Sequence, residues 1–163
     1  MVKKKKSEEH ESKLKKIEES IEKFKSVQQG RVKFAEVDSF GVVHNLQFLY
    51  WIEWARTEYF RSIGVQIDHG TFVNDYPFMV AHAEIDYFAP AKFNDEYEVL
   101  TRVSYVKKSS MGFENIVRLK DGTILASAEA TMVHYNVNNN EPERVNDYLR
   151  TLLRIFEGDN IEL

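Results

Sequence analysis

The chain has 163 residues, of which 43% are hydrophobic and 13% aromatic, and its formal net charge is −4. A chain of this length buries one core of ordinary size, so one domain is the default expectation. The absence of cysteine excludes disulfides, thiolate nucleophiles and cysteine-based zinc sites. No run of about 18 apolar residues is present, and the charged amino terminus does not continue into an apolar signal segment. These features predict a soluble, cytoplasmic protein without stable membrane insertion.

Charge is distributed unevenly along the chain. Residues 1–30 contain nine Lys and six Glu, a net charge of +3, so the remaining residues carry −7. An acidic body argues against nucleic acid as the partner. Within residues 1–30 an apolar stripe recurs at helical spacing, formed by Leu14, Ile17, Ile21 and Phe24. We interpret residues 1–30 as a charged helical extension that docks on its own subunit or a neighbour, and residues 31–163 as the main domain.

The main domain begins with a short strand pattern and a long helix pattern. Residues 31–37 alternate as a strand does. Residues 46–63 carry one apolar helical stripe, and Gly64 is well placed to end that helix. The stripe consists of Phe48, Ile52, Ala55, Tyr59 and Ile63.

Four strand patterns rich in Val, Ile, Thr, Tyr and Phe follow, at residues 79–88, 95–107, 111–120 and 123–136. Asp121-Gly122 is a strong hairpin signal between the last two. A closing pattern at residues 146–156 predicts a short helix. One early strand, one long helix and a later antiparallel meander predict an α+β domain.

The junction between the first strand and the long helix carries the chemistry. Asp38 follows the strand, and Gly41 lies in the turn that leads to the helix. A carboxylate is therefore expected beside the unpaired amides of a helix N-terminus. Such amides stabilise an oxygen that gains negative charge, and a carboxylate can activate water or attack a carbonyl carbon. This arrangement is suited to hydrolysis of an ester or thioester.

Two separated motifs resemble a known family. The first is D-x-x-G-V-V followed by E-x-A-R, and the second is Ile85-Asp86-Tyr87 with Pro90-Ala91 and then Asp95. The first motif is carried by Asp38, Gly41, Val42, Val43, Leu49, Glu53, Ala55 and Arg56. Together they resemble the hotdog-fold acyl-CoA thioesterases of the 4-hydroxybenzoyl-CoA thioesterase type, over about residues 32–135. The resemblance implies a hotdog fold, in which an antiparallel sheet wraps around one long central helix, here with added N-terminal and C-terminal helices.

The chain departs from the family pattern at the start of the helix. His44 and Asn45 occupy the positions of a Tyr-His pair, and Gln47 replaces an Asn. A second thioesterase branch, of the long-chain acyl-CoA type, reads approximately D-x-x-x-H-V-N-N, and Asn45 matches its second Asn. The motif therefore lies between two thioesterase subtypes.

The resemblance implies hydrolysis of an acyl-CoA thioester without cofactor or metal. Asp38 is the expected general base or nucleophile. The helix-start amide of Asn45, with that of Val43 or His44, is expected to polarise the carbonyl, and the His44 side chain is a third catalytic candidate. The expected substrate-binding residues are Gly41, Val42, Val43, Phe48, Trp51, Ile52 and Tyr59. Glu53 on the helix is the principal rival to Asp38.

Each candidate also has a purely structural interpretation. Asp38 could be only a turn residue, Asn45 a plain N-cap, and His44 a structural group near the helix start. Glu53 could pair with Arg56 three residues later. His82, Glu84 and Asp86 share one face of a strand but lie too far apart for one metal ion, and a polar subunit interface is the simpler interpretation.

The sequence leaves two other functions open, and the resemblance also predicts an oligomer. The protein could be a non-catalytic acyl-CoA or acyl-carrier binding module, or a hotdog hydratase or dehydratase. The resemblance implies a homodimer or homotetramer with active sites at the subunit interface. The aromatic content also exceeds what one helix covers.

Overall fold

The computed structural model describes residues 2–163, with side chains from His10 onward. Three helices, α1 to α3, and six strands, β1 to β6, form the fold. In chain order they are α1 (Val2–Ser20), β1 (Ser26–Arg31), α2 (Asn45–Ser62), β2 (Phe78–Tyr87), β3 (Glu96–Val106), β4 (Ser110–Leu119), β5 (Ile124–Asn136), β6 (Glu141–Pro142) and α3 (Asp147–Glu157). Short 3-10 turns lie at Ile21–Lys23, Phe34–Glu36 and Gly158–Asn160, and one π-helical turn at Thr71–Asp75.

The strands form one antiparallel sheet in the order β1-β3-β4-β5-β2, and the short β6 pairs with β5. The central helix α2 packs on one face of this sheet. Its buried side chains include Phe48, Ile52 and Ala55, which join a core cluster with Val99 and Val117 of the sheet. The predicted α+β class and hotdog fold are confirmed.

The first strand differs from its prediction. It lies at Ser26–Arg31, whereas residues 34–36 form a 3-10 turn and Val37 makes only an isolated bridge to Val43. The strand lies at the edge of the sheet and contains the polar sequence Gln28-Gln29-Gly30, so its sequence shows no alternation of polar and apolar residues. Gly30 lies so close to the Tyr97 ring on β3 that a Cβ would not fit. The helical part of the charged extension accordingly ends before residue 26.

The helix α1 packs on the sheet face opposite α2. Leu14, Ile17 and Ile21 contact a cluster that includes Leu100 and Ile116. Leu100 follows Val99 of the α2-facing cluster, and successive strand residues point to opposite faces. Nearer the start of the helix, Lys13 Nζ lies 2.7 Å from Asp86 Oδ2 on β2. The apolar stripe thus docks on its own subunit, and α1 crosses the sheet from β3 towards β2.

The C-terminal helix α3 closes the far end of the α2 face. Leu149 and Leu153 are buried there. At the end of the helix, Glu157 is buried, and its Oε1 accepts hydrogen bonds from the Tyr59 hydroxyl at 2.6 Å and from Val103 N at 3.0 Å. Burial raises the pKa of Glu157 above its ordinary value. None of the helices within residues 2–163 is long and apolar enough to span a membrane.

Candidate active site

A tight hairpin turn holds Asp38 in front of α2. Asp38 N donates to Val42 O at 2.8 Å, and Gly41 N donates to Asp38 O at 3.0 Å. Val37 and Val43 pair across the base of the turn. Gly41 has φ +74°, a left-handed conformation that glycine adopts without steric cost. The motif glycine thus serves the backbone geometry that positions Asp38.

The Asp38 carboxylate has both a structural and an available oxygen. Oδ1 accepts a hydrogen bond from Phe40 N at 2.8 Å, which is the turn-forming interaction of an Asx residue. From His10 onward, where side chains are described, no donor bonds to Oδ2. The side chain is half-buried. One oxygen therefore fixes the carboxylate, and the other remains free to accept a proton or attack a carbonyl carbon.

His44, not Asn45, is the N-cap of α2. The helix begins at Asn45, and His44 Nδ1 accepts a hydrogen bond from Leu46 N at 3.2 Å. The interpretation of Asn45 as a plain N-cap was wrong, because an N-cap has extended backbone angles and His44 has them, with φ −61° and ψ 134°. Since Nδ1 accepts, the neutral ring carries its proton on Nε2.

One amide at the helix start is left for a ligand. Leu46 N is bonded to the His44 ring, and Gln47 N donates to His44 O at 2.8 Å. Among the described residues nothing accepts the N–H of Asn45. That N–H lies at the positive end of the α2 dipole, where an anionic oxygen is stabilised.

The other two amides considered as donors are already used. Val43 N donates to Ala91 O at 2.8 Å, and His44 N donates to Glu36 O at 2.9 Å. The expectation that Val43 or His44 supplies a second backbone donor was therefore wrong, because the loop pairs both amides internally. The Tyr87 hydroxyl donates to Asn45 O at 3.0 Å and joins the helix start to the end of β2.

Glu36 is a supporting residue that sequence reasoning missed. Its Oε2 accepts from Lys33 N at 2.7 Å, and its Oε1 accepts from Trp51 Nε1 at 3.0 Å. The Trp51 ring stacks on Tyr97 with centroids 3.8 Å apart. Burial, together with the negative charge of Glu36, raises the pKa of Tyr97 to about 12. The spacing from Lys33 to Glu36 is that of a capping box, the one signal that could have indicated this role.

The four side chains expected to line an acyl site are buried in the core. Phe48, Trp51, Ile52 and Tyr59 are each at most 6% exposed. Phe48 contacts the ring of Tyr87 with centroids 5.4 Å apart, so it lies near the helix start. Trp51 is held towards the β1 and β3 side by Glu36 and Tyr97, and Tyr59 lies in a different cluster.

A cavity of about 290 Å³ lies along α2 beyond this region. Its polar side carries Glu53, Arg56 and Thr57, and its apolar side is formed by Phe60, Phe72, Phe78, Val80 and Met132. Within the described chain, Glu53 and Arg56 make no ion pair shorter than 4.0 Å. Burial lowers the pKa of Arg56, but the negative charge of Glu53 raises it, so the pairing with Arg56 stays a prediction beside the rival catalytic role of Glu53.

The comparisons with known proteins identify the family. The sequence model of the thioesterase-like superfamily matches residues 32–153. The chain belongs to this superfamily. An acyl-CoA thioesterase YbgC of Haemophilus influenzae is 34% identical over 98 residues, which cover 60% of this chain and 71% of that protein. An acyl-CoA thioester hydrolase YbgC of Escherichia coli O6:H1 is 27% identical over 98 residues, covering 60% and 72%.

Solved structures give the same result for the fold. A Thermus thermophilus thioesterase, solved with coenzyme A and zinc, superposes with a TM-score of 0.72 at 29% identity, covering 84% of this chain and 98% of that one. A 1,4-dihydroxy-2-naphthoyl-CoA thioesterase from Synechocystis gives a TM-score of 0.71 at 22% identity, covering 78% and 93%. The predicted family and enzyme class, a thioester hydrolase, are confirmed.

Proposed function

We propose that this thioesterase-superfamily protein hydrolyses acyl-CoA thioesters in the cytoplasm, with Asp38 as general base or nucleophile and the Asn45 amide as oxyanion donor. The observation that carries the proposal is the combination of a carboxylate with one free oxygen and a helix N-terminal amide without an acceptor, both held by one tight turn. The substrate class comes from the YbgC relatives, which are acyl-CoA thioesterases by name.

The proposed reaction uses these two groups together. The Asn45 N–H donates to the thioester carbonyl oxygen and stabilises the negative charge that develops there. Asp38 Oδ2 either takes a proton from water, which then attacks the carbonyl carbon, or attacks that carbon itself to form an anhydride that water cleaves. In both routes the C–S bond breaks, coenzyme A leaves as the thiol after protonation, and the acyl group leaves as the carboxylic acid.

In this proposal His44 is a positioning residue. Its ring caps α2 and its backbone binds Glu36, so it holds the first turn of the helix in place. Gly41, Val42 and Val43 shape the turn. Phe48 and the neighbouring Ile52 form the floor of the acyl site, whereas Trp51 and Tyr59 support it from within the core.

We further propose that the protein acts as a homodimer joined through β2, with tetramers built from such dimers. The strand has ten residues at an edge of the sheet, and Met79 and Val80 on it are 58% and 50% exposed. A long exposed edge with apolar side chains is a template for pairing with another strand. Since Tyr87 ends this strand and bonds to Asn45, the active site would lie beside the subunit interface.

A second candidate function is binding of acyl-CoA without hydrolysis. The hydrogen bond from Phe40 N to Asp38 Oδ1 favours this function, because a structural role in the turn explains an aspartate at this position without catalysis. The two functions differ in a simple assay. Purified protein is incubated with short, long and aromatic acyl-CoA thioesters without added metal, and free thiol is measured. Release from at least one substrate, lost in Asp38→Asn, supports hydrolysis, whereas tight binding without thiol release supports the binding module.

A further inference from the structure

The cavity beside Arg56 lies in line with the proposed oxyanion donor. Arg56 follows Asn45 by eleven residues in α2, close to three full turns of an α-helix at about 3.6 residues per turn. The two residues therefore share one face of the helix. At about 1.5 Å per residue they lie roughly 16 Å apart along its axis. Because helix side chains lean towards the N-terminus, the Arg56 side chain extends back along this face and shortens the gap, so an acyl group that extends from Asn45 reaches it with its far end.

The guanidinium of Arg56 makes no hydrogen bond and no ion pair within 4.0 Å among the side chains and backbone that the structure describes. Its charged neighbour is Glu53, which lines the same cavity. Burial lowers the pKa of Arg56, and the negative charge of Glu53 offsets this effect only in part. The other arginine on this helix, Arg61, is paired with Glu58. A half-buried arginine that donates no hydrogen bond is unusual, since desolvation of a charge is costly unless hydrogen bonds compensate it.

The rest of the cavity suits an apolar chain. The Phe60 ring meets Phe72 with centroids 5.4 Å apart and Phe78 with centroids 6.4 Å apart, so the wall is a packed aromatic group. Its volume of about 290 Å³ is near the lower end of small-molecule sites, which are mostly apolar with a few polar groups that fix orientation. Val80 places the cavity beside the exposed edge of β2.

We propose that this cavity binds the far end of the acyl group and that Arg56 selects acyl groups carrying a carboxylate there, as in the coenzyme A thioesters of dicarboxylic acids. The inference rests on the proposed thioester hydrolysis at Asp38. A planar guanidinium binds a carboxylate through two parallel hydrogen bonds, and the aromatic wall covers the methylene chain between the two ends.

The test compares substrates of equal chain length, octanoyl-CoA with suberoyl-CoA and decanoyl-CoA with sebacoyl-CoA. The wild-type protein should favour the dicarboxylic member of each pair in kcat/KM by about tenfold or more, as expected for a charge-assisted pair in a partly desolvated site. Arg56→Gln should abolish this ratio mainly through KM for the dicarboxylic substrate, and Arg56→Lys should restore part of it. Arg61→Gln, on the same helix, should leave the ratio unchanged.

Binding of the free acids separates this inference from the proposed function. Calorimetric titration with suberate should show binding that octanoate lacks and that Arg56→Gln removes, whether or not any thioester is cleaved. Absence of turnover on every substrate would therefore contradict hydrolysis while leaving the selectivity measurable. Equal kcat/KM values for both members of each substrate pair, together with suberate binding no better than octanoate, would overturn the inference. So would an Arg56→Gln protein whose only defect is loss of the dimer, because Arg56 would then pair with a carboxylate of the other subunit.

Discussion

Trp51 Nε1 donates a hydrogen bond to Glu36 Oε1 at 3.0 Å, and this bond ties the turn before Asp38 to the central helix. The other Glu36 oxygen holds Lys33 N, and Glu36 O holds His44 N. Three separate points of the loop and helix therefore depend on one residue. The position of Asp38 relative to the helix start rests on this support as well as on its own turn.

Glu36→Gln tests that support. The amide oxygen can still accept from Trp51, but the amide nitrogen cannot accept from Lys33 N, so one hydrogen bond to a charged group is lost. We expect the free energy of unfolding to fall by about 1.5–3 kcal/mol, with a loss of turnover because Asp38 is less well held. Urea unfolding and thiol release measure both effects. Glu96→Gln, which removes one charge from two surface ion pairs, with Arg31 and with Lys120, is the control. Equal effects of both substitutions would show that Glu36 has no special supporting role.

His44 can be tested for capping and for catalysis separately. His44→Ala removes the side-chain acceptor for Leu46 N and should lower stability by about 1 kcal/mol. His44→Asn supplies another good cap without an imidazole, so it should restore the melting temperature and most of the turnover. Thermal unfolding and steady-state kinetics on the two variants give the answer. A stable His44→Asn protein with turnover reduced a hundredfold would instead indicate that the ring acts on the substrate.

The buried Glu157 predicts a pH dependence of stability. Burial raises its pKa in the folded state above the ordinary 4.5, so the folded protein holds this proton to a higher pH than the unfolded chain does. The contribution of the protonated group is thus full below 4.5 and is lost as pH rises through the higher folded-state pKa. Urea unfolding at a series of pH values should show the stability of the wild type, relative to Glu157→Gln, falling across this window. A difference that does not vary with pH would contradict the prediction.

The extension should tolerate the loss of its first twelve residues. Removing residues 1–12 deletes, among described side-chain contacts, the ring contact of His10 with Phe88 and leaves Leu14, Ile17 and Ile21 in place. Folding and turnover should therefore be nearly unchanged. By contrast, Ile17→Asp places a charge in the interface between α1 and the sheet and should lower stability by about 1–3 kcal/mol. Loss of solubility or of the oligomer on the short truncation would show that the first twelve residues are a docking element.

The parts of the fold that periodicity predicted are those with one buried face. The central helix and strands β2 to β5 lie within one residue of their predicted positions at every boundary, because their apolar side chains recur with the period of a helix or a strand. Strand β1 was missed because Gln28, Gln29 and Gly30 at a sheet edge carry no such pattern. Its place depends on Tyr97, which packs against Gly30 from 67 residues away in the chain.

The sequence predicted the main groups of the site but not the hydrogen bonds that connect them. Asp38 and the helix-start amide followed from the order of strand, turn and helix. Which residue caps the helix could not be predicted, since His44 and Asn45 both have suitable acceptors and only the backbone angles decide between them. The contacts of Glu36 and the position of Arg56 in the cavity depend on tertiary packing, which a single sequence does not display.

The most direct test compares the two carboxylates, Asp38 and Glu53, by single substitution. Asp38→Asn retains an oxygen that accepts from Phe40 N, so the turn should survive while the free proton acceptor is lost. We expect turnover to fall by roughly 10² to 10⁴ without unfolding. Glu53→Gln should leave turnover within about tenfold, since an exposed helix carboxylate away from the free amide is not expected to touch the reacting atoms.

The decisive measurement is the rate of coenzyme A release by both variants at equal concentrations of folded protein, verified by circular dichroism. We expect a well-folded, nearly inactive Asp38→Asn protein and an active Glu53→Gln protein. An active Asp38→Asn protein beside a folded but inactive Glu53→Gln protein would contradict the assignment of Asp38 as the catalytic group.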